Sequence, residues 1–219
     1  MSDKEKERLE FLAGEGGLRR SDGYPIVCPM RITGGIYARR RIRAPGGEVR
    51  PTQDKVRAAL FSILAARISG TRFLDLFAGS GAVGLEAVSR GASGVCWVEK
   101  ARPVFSVLKQ NVADICGPSA DMGKGCEFQC VLNDAKAFLR RGFTGAPFDM
   151  IFADPPYRKG DLPGLMDAIR DGAWLTPGGV MIIEQGAGEA EAVAGGWRMV
   201  DERTYGGTRL RMFQREMKP

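Results

Sequence analysis

The chain contains no histidine in 219 residues, and this single absence removes several kinds of chemistry. Ser-His-Asp and Cys-His hydrolases, histidine general acid–base catalysis and zinc deaminases of the His-x-Glu type all need an imidazole. No run approaches the roughly 18 apolar residues of a membrane span. The start, "MSDKEKERLE", also lacks the apolar centre of a secretory signal. A cytoplasmic protein with no membrane partner is therefore expected. Five cysteines (Cys28, Cys96, Cys116, Cys126 and Cys130) suit a reduced compartment. Cys126 and Cys130 are spaced loosely like metal ligands. With no histidine and no second pair nearby they read as free thiols, and no metal is expected. Catalysis in such a chain rests on carboxylates, backbone dipoles and positioning.

What the chain does have is unevenly placed charge. The net charge is +6, and between Met30 and Arg57 sit Arg31, Arg39, Arg40, Arg41, Arg43, Arg50, Lys55 and Arg57 against only Glu48 and Asp54. That one segment carries the whole excess, which is the footprint of a polyanion partner. The candidate nucleic-acid contacts are Arg31, Arg39, Arg40, Arg41, Arg43 and Arg50. About five of them engaged on RNA phosphates would give a salt slope near −3.5.

The length suits one sizeable core, and a monomer is expected. Residues 1–29 read as a polar flexible tail, and 30–219 as a single domain. Within it, 30–50 ("MRITGGIYARRRIRAP" and the residues after it) reads as a basic β-hairpin around Gly34-Gly35. Residues 51–70 form a leading helix, with Val56, Leu60, Ile63 and Leu64 on one face, Thr52 as N-cap and Asp54 in the first turn. From 71 to 219 the short apolar runs "TRFLDLFA", "GVCWVEK", "CEFQCVL", "FDMIFAD" and "GGVMIIEQ" alternate with helical stretches near 81–90, 103–115, 133–140 and 161–171. That alternation predicts an α/β, Rossmann-like parallel sheet covered on both faces. "WRMVDERTYGGTRLRMFQRE" adds an antiparallel hairpin around Gly206-Gly207.

Two motifs carry chemistry. "FLDLFAGSGAVGLEAVSRG" runs from a strand through Gly79, Gly81 and Gly84 into a helix, and the next strand ends at Glu99. This is the pattern of an adenosine-containing cofactor, with a carboxylate for the ribose hydroxyls. NAD and S-adenosylmethionine both remain open on that pattern. Asp75, before the glycines, would repel a pyrophosphate and suit a cationic aminoacyl tail. Asn133 and Asp134 follow the third strand, where they could reach an adenine amino group; Asp134 reads equally well as the N-cap of the next helix.

The second motif is "IFADPPYRKG", residues 151–160, where a buried strand stops at Asp154, Pro155, Pro156 and Tyr157. An Asp-Pro-Pro sequence can be a plain turn. In an open α/β sheet, however, ligands sit beyond the carboxyl ends of strands where the strand order reverses, and the first and fourth strands are usual neighbours there. Asp154 and a backbone carbonyl could then accept the N–H groups of an exocyclic base amine. The prolines would hold the chain rigid, and Tyr157 would stack on the base for roughly 1–3 kcal/mol.

Taken in order, "MRITGG", "RPTQDKVRAALF", "LDLFAGSGAVGLEAVSRGA", "VEK", "DPPY" and "YGGTRLRMFQRE" give a chain that resembles the bacterial RsmD family of small-subunit rRNA guanine-N2 methyltransferases over about residues 30–216. The resemblance implies a seven-stranded methyltransferase fold using S-adenosyl-L-methionine on 16S rRNA in the small ribosomal subunit. It implies a catalytic motif at Asp154, Pro155, Pro156 and Tyr157. It places the cofactor at Asp75, Phe77, Ala78, Gly79, Ser80, Gly81, Glu99, Lys100, Asn133 and Asp134. Adenine-N6 methylation uses the same four-residue motif. An NAD(P)-dependent oxidoreductase would account for the glycine loop alone, and a non-catalytic RNA-binding module for the arginines alone.

Overall fold

The computed structural model describes residues 30–45, 51–117, 127–141, 145–155, 162–188 and 193–216, with backbone only at 51–53 and 127. The expected tail at 1–29, together with Arg50, Pro156 and Tyr157, lies outside the described residues, as does the side chain of Thr52.

Apolar runs of five or six residues, too short for stable helices, form the parallel core of the sheet. In chain order the elements are α1 (Pro51–Ile63), β1 (Arg72–Leu76), α2 (Ala82–Ser89), β2 (Gly94–Glu99), α3 (Arg102–Cys116), β3 (Glu127–Leu132) and α4 (Ala135–Arg140). They continue with β4 (Phe148–Ala153), α5 (Leu162–Asp171), β5 (Leu175–Gly186), β6 (Trp197–Tyr205) and β7 (Thr208–Arg215). The seven strands lie in the order β3-β2-β1-β4-β5-β7-β6. β1 to β5 are mutually parallel, and the β6–β7 hairpin joins antiparallel through β7. Tyr205 pairs with Thr208, so Gly206-Gly207 is the two-residue turn expected.

Strand alternation sorts the core into two layers. Phe73, Val95, Trp97, Met150, Phe152, Val180 and Ile182 face α1, α2 and α3, where they meet Val56, Leu60, Phe61, Leu85, Leu108 and Val112. Leu74, Val98, Ile151, Ala153, Met181 and Ile183 face α4 and α5, where they meet Leu139, Leu165, Met166 and Ile169. Helix ends follow local chemistry. Asp134 Oδ1 accepts from the N–H groups of Lys136 and Ala137 at the start of α4, and Gly117 (φ +89) ends α3.

Two sequence expectations need correction here. α1 begins at Pro51, so Thr52 lies inside the helix and cannot be its N-cap; proline at the first helical position fits its fixed φ. The basic segment is a short hairpin, as expected, but it does not turn at Gly34-Gly35. A single antiparallel bridge joins Arg31 to Arg41, and the chain reverses through the residues between them. Gly34 and Gly35 are contact glycines instead. A Cβ on Gly35 (φ +79) would collide with the Ser89 carbonyl, and one on Gly34 with the Arg90 guanidinium. Three backbone bonds join the two arms, Ile32 N–H to the Arg40 carbonyl (3.0 Å), Arg39 N–H to that of Ile32 (2.9 Å) and Ile42 N–H to that of Met30 (2.8 Å). The loop between them docks on the end of α2: Ile36 N–H donates to the Ser89 carbonyl at 2.8 Å and Tyr37 N–H to Ser89 Oγ at 2.9 Å.

Glu86, fully buried on α2, fastens this loop and α1 together. Its carboxylate accepts from Thr33 N–H (2.8 Å), Thr33 Oγ1 (2.7 Å), Arg90 Nε (2.8 Å) and Arg57 Nε (3.4 Å). Arg57, itself only 4% exposed, also donates to Asp54 and to the Arg31 carbonyl. Breaking a buried pair by removing one partner leaves an uncompensated charge. Glu86→Ala should therefore lower unfolding stability by about 3 kcal/mol in denaturant titration. A negligible change would show that Thr33 and Arg57 are held by other contacts.

Candidate active site

Strand order reverses between β1 and β4, since β2 and β3 run out to one side and β5 to the other. The register Leu76↔Ala153 sets the residues that follow, Phe77 and Asp154, side by side at the sheet's carboxyl rim. Two cavities open there. One, of about 200 Å³, is lined by Phe77, Val98, Glu99, Lys100, Asn133, Ala135 and Asp154. The other, of about 280 Å³, takes Asp75, Phe77, Ala78, Gly79, Ser80, Phe152, Asp154 and Glu184 from the sheet side and Met30, Pro45, Arg57 and Leu60 from above. Phe77 and Asp154 belong to both. Phe77 holds a positive φ of +61, rare for a residue with a side chain, and stands as the partition between the two spaces.

Below the partition the glycine loop is fixed by backbone hydrogen bonds. Gly79 (φ +55) and Gly81 (φ +81) hold left-handed conformations that favour glycine. A Cβ on Gly84 would run into the Trp97 indole, so helix α2 can sit this close to β2 only without one. Gly84 N–H donates to Asp75 at 2.9 Å, and Trp97 Nε1 donates to the Gly81 carbonyl at 3.3 Å. Glu99 ties the loop to β2, with one carboxylate oxygen accepting from Gly79 N–H (3.0 Å) and the other from Ala101 N–H (2.7 Å). Each oxygen keeps a second lone pair for a ligand.

The electrostatics are those of a site for a cation. Burial strips water from Asp75 and pushes its carboxyl well above the usual carboxylate range; the Gly84 N–H opposes this, and repulsion from Asp154 and Glu99 adds to it. Glu184 is pushed up to about 7, first by burial and then by Asp154, with Arg57 pulling the other way. A pyrophosphate would bring further negative charge among these carboxylates, whereas a sulfonium and an ammonium relieve the repulsion. The residues present fit S-adenosylmethionine, whose positive charges would ease that repulsion. Asn133 supplies a further sign of a ligand. Its Nδ2 is buried with no partner among the described residues, while its Oδ1 accepts from Asp134 N–H. The amide thus offers a donor to the cavity, which suits a ring nitrogen rather than the amino group expected for it. Asp134 caps α4 and does not line either cavity.

Among the catalytic residues expected, Asp154 and Pro155 are described, and Pro155 is buried. The arginines separate into three roles. Arg31, Arg39 and Arg41 are exposed with no ion pair among the described residues. Arg40 donates to the Ile115 carbonyl at 2.6 Å and Arg43 pairs with Asp114 at 3.1 Å, so both hold the end of α3. Arg57 is a buried structural cation, not part of a polyanion footprint. Burial also pushes the Cys96 thiol up to about 12, as suits an inert thiol. Sequence reasoning missed Glu184 and Arg57 as walls of the site. The signal for Glu184 was present in "VMIIEQ", a buried strand closing on a carboxylate as β2 and β4 do.

Comparison with known proteins agrees with this geometry. Residues 30–214 match the family model described as "Conserved hypothetical protein 95". The "Ribosomal RNA small subunit methyltransferase D" of Escherichia coli (strain K12) is 35% identical over 192 residues, covering 85% of this chain and 90% of that one. Its namesake in Haemophilus influenzae is 28% identical over 186 residues, covering 84% and 93%. A solved structure, a putative methyltransferase from Escherichia coli, superposes with a TM-score of 0.72 at 32% identity, covering 86% of this chain and 99% of that one. The glycine loop, the acid-lined double cavity and these likenesses converge: the chain belongs to the RsmD family of methyltransferases, matched from residue 30 to residue 214.

Proposed function

We propose that this protein transfers a methyl group from S-adenosyl-L-methionine to the exocyclic N2 amine of a guanine in 16S rRNA, within the small ribosomal subunit in the cytoplasm. The observation that supports this most directly is the sharing of Asp154 between two cavities divided by Phe77. One space suits a nucleoside, beside Glu99 and Asn133. The other is roofed by the N-terminal segment and α1, from which the arginines extend.

The sulfonium supplies the electrophilic methyl group. The chain's own residues do the rest. Glu99 would accept from the ribose hydroxyls through its remaining lone pairs, Asn133 Nδ2 would donate to the adenine ring, and Asp75 would serve the ammonium. Asp154 accepts one N–H of the base amine. This turns the nitrogen lone pair toward the methyl carbon and gives the departing proton an acceptor once the nitrogen becomes cationic. Pro155, buried and fixed in φ, sets the strand end so that a backbone carbonyl can take the other N–H. Tyr157 is assigned the stacking face for the flipped base, whose extrusion costs a few kcal/mol. Alignment and proximity carry most of the acceleration, so no histidine is required.

Asp154→Ala should cut methyl incorporation into undermethylated small subunits by about 100-fold or more while subunit binding is retained. Mass spectrometry of digested rRNA should show N2-methylguanosine with the wild-type protein; N6-methyladenosine instead would overturn the guanine assignment. The arginine turn carries a separate expectation. With Arg40 and Arg43 committed to α3, three contacts remain in place of the five counted from sequence. The slope of log affinity against log salt should thus be about −2, and flatten when Arg31, Arg39 and Arg41 are replaced by alanine. An unchanged slope in that variant would move the RNA interface elsewhere.

A further inference from the structure

β1, β4 and β5 each close the same face of the sheet with an acid. Val180 and Ile182 of β5 face the α1–α3 layer, so Glu184, two residues on, faces it too. On β4, Met150 and Phe152 face that layer, and Asp154 follows by the same alternation. The register Ala153↔Ile183 makes Asp154 and Glu184 next-door neighbours across the strands, about 4.8 Å apart in backbone terms. Both line the larger cavity, on the side away from Glu99 and Asn133. Among the described residues no group of acids is arranged to hold a metal ion. Asp154 and Glu184 thus place two carboxylates along one wall of that cavity, where hydrogen-bond donors of a base could meet them.

We propose that Glu184 is the residue that selects the target base, its carboxylate accepting N1–H of guanine while Asp154 and the backbone carbonyl accept the two N2–H groups beside it. This rests on the function proposed above and adds to it a reason for guanine. An ionised carboxylate has only acceptors. Guanine presents two adjacent donors, N1–H and N2–H, on its Watson–Crick edge. Adenine and cytosine present one amine beside a ring nitrogen lone pair, which a carboxylate repels. The groups around Glu184 bear on its charge. Asp154 at the end of β4 raises the cost of ionising it and Arg57 on α1 lowers that cost, while Asp75 on β1 lines the same cavity. From β7 the paired residue is Leu210, and the neighbouring Arg211 turns to the opposite face, where it bonds Gln185. The carboxyl pushed up to about 7 is thus readily protonated without substrate, and the N1–H donor of guanine selects the ionised form.

The test is a base swap. Once the methylated position is mapped, small subunits are reconstituted with guanine or with 2-aminopurine there. 2-Aminopurine keeps the N2 amine but carries a lone pair at N1. Wild-type protein should favour guanine, and methylation should rise with pH through about 7. Glu184→Gln offers an acceptor and a donor side by side, the complement of 2-aminopurine. It should lose about 10- to 100-fold in kcat/KM on guanine, lose the rise near pH 7, and reverse or abolish the preference for guanine. Equal losses on both bases would overturn the proposal and leave Glu184 a structural residue. If wild type methylates neither base, the function reading itself fails, which is a separable outcome. Thermal unfolding guards against a folding artefact. A carboxyl whose folded pKa is raised loses stability as pH climbs from its unfolded value to about 7, so Glu184→Gln should match wild type at about pH 4 and unfold at a higher temperature at about pH 8. A lower midpoint at the higher pH would remove the half-buried, destabilised carboxylate from which the pH dependence is argued.

Discussion

The parallel pairing of β1 with β4 is the constraint on which the rest of the molecule depends. The strands before β4 wind away to one side of β1, and those after it wind to the other. The rim above those two strands is therefore the place where no crossover covers the strand ends. Phe77 and Asp154 meet there although they are far apart in the chain. The glycine loop and the Asp-Pro motif are short and common in isolation. It is the register from Phe73↔Met150 to Leu76↔Ala153 that turns them into one site.

That site is held in a state the fold alone would not favour. Asp75, Asp154 and Glu184 are gathered among apolar side chains in the larger cavity, with Arg57 as the guanidinium in its lining and Glu99 just across the partition. Like charges in low dielectric cost free energy, and burial raises the carboxyls rather than expelling them. The stability lost here is compensated by the two apolar layers and by the Glu86 junction, where the acid is matched by two arginines and a threonine. The contrast between Glu86, satisfied on every side, and Glu184, facing another acid across a cavity, separates a structural carboxylate from one available to a ligand.

Much of this was readable in the residues before any coordinates. Short apolar runs alternating with amphipathic stretches pointed to the sheet, and Glu99 and Asp154 announced themselves by ending apolar strands. Gly79, Gly81 and Gly84 were legible because their spacing reports backbone geometry directly. What failed was whatever depends on burial. Arg57 counted as surface charge because a composition cannot tell a solvated guanidinium from one enclosed beside Glu86. The contacts of Arg40 and Arg43 with the end of α3 were also out of reach, because that partner is distant in sequence. The Gly34-Gly35 pair suggested a tight turn when its role is close approach to Ser89. Glu184 carried the same signal, a carboxylate after an apolar run, but no recognised motif drew attention to it.

The seat of Gly84 against the Trp97 indole has a consequence for how such a sequence can change over time. The floor of the glycine loop is shaped from underneath by one bulky ring, which leaves no room for a methyl group on the helix above it. Neither position can drift alone: a side chain at 84 requires a smaller partner at 97, and a smaller partner without that addition opens a void.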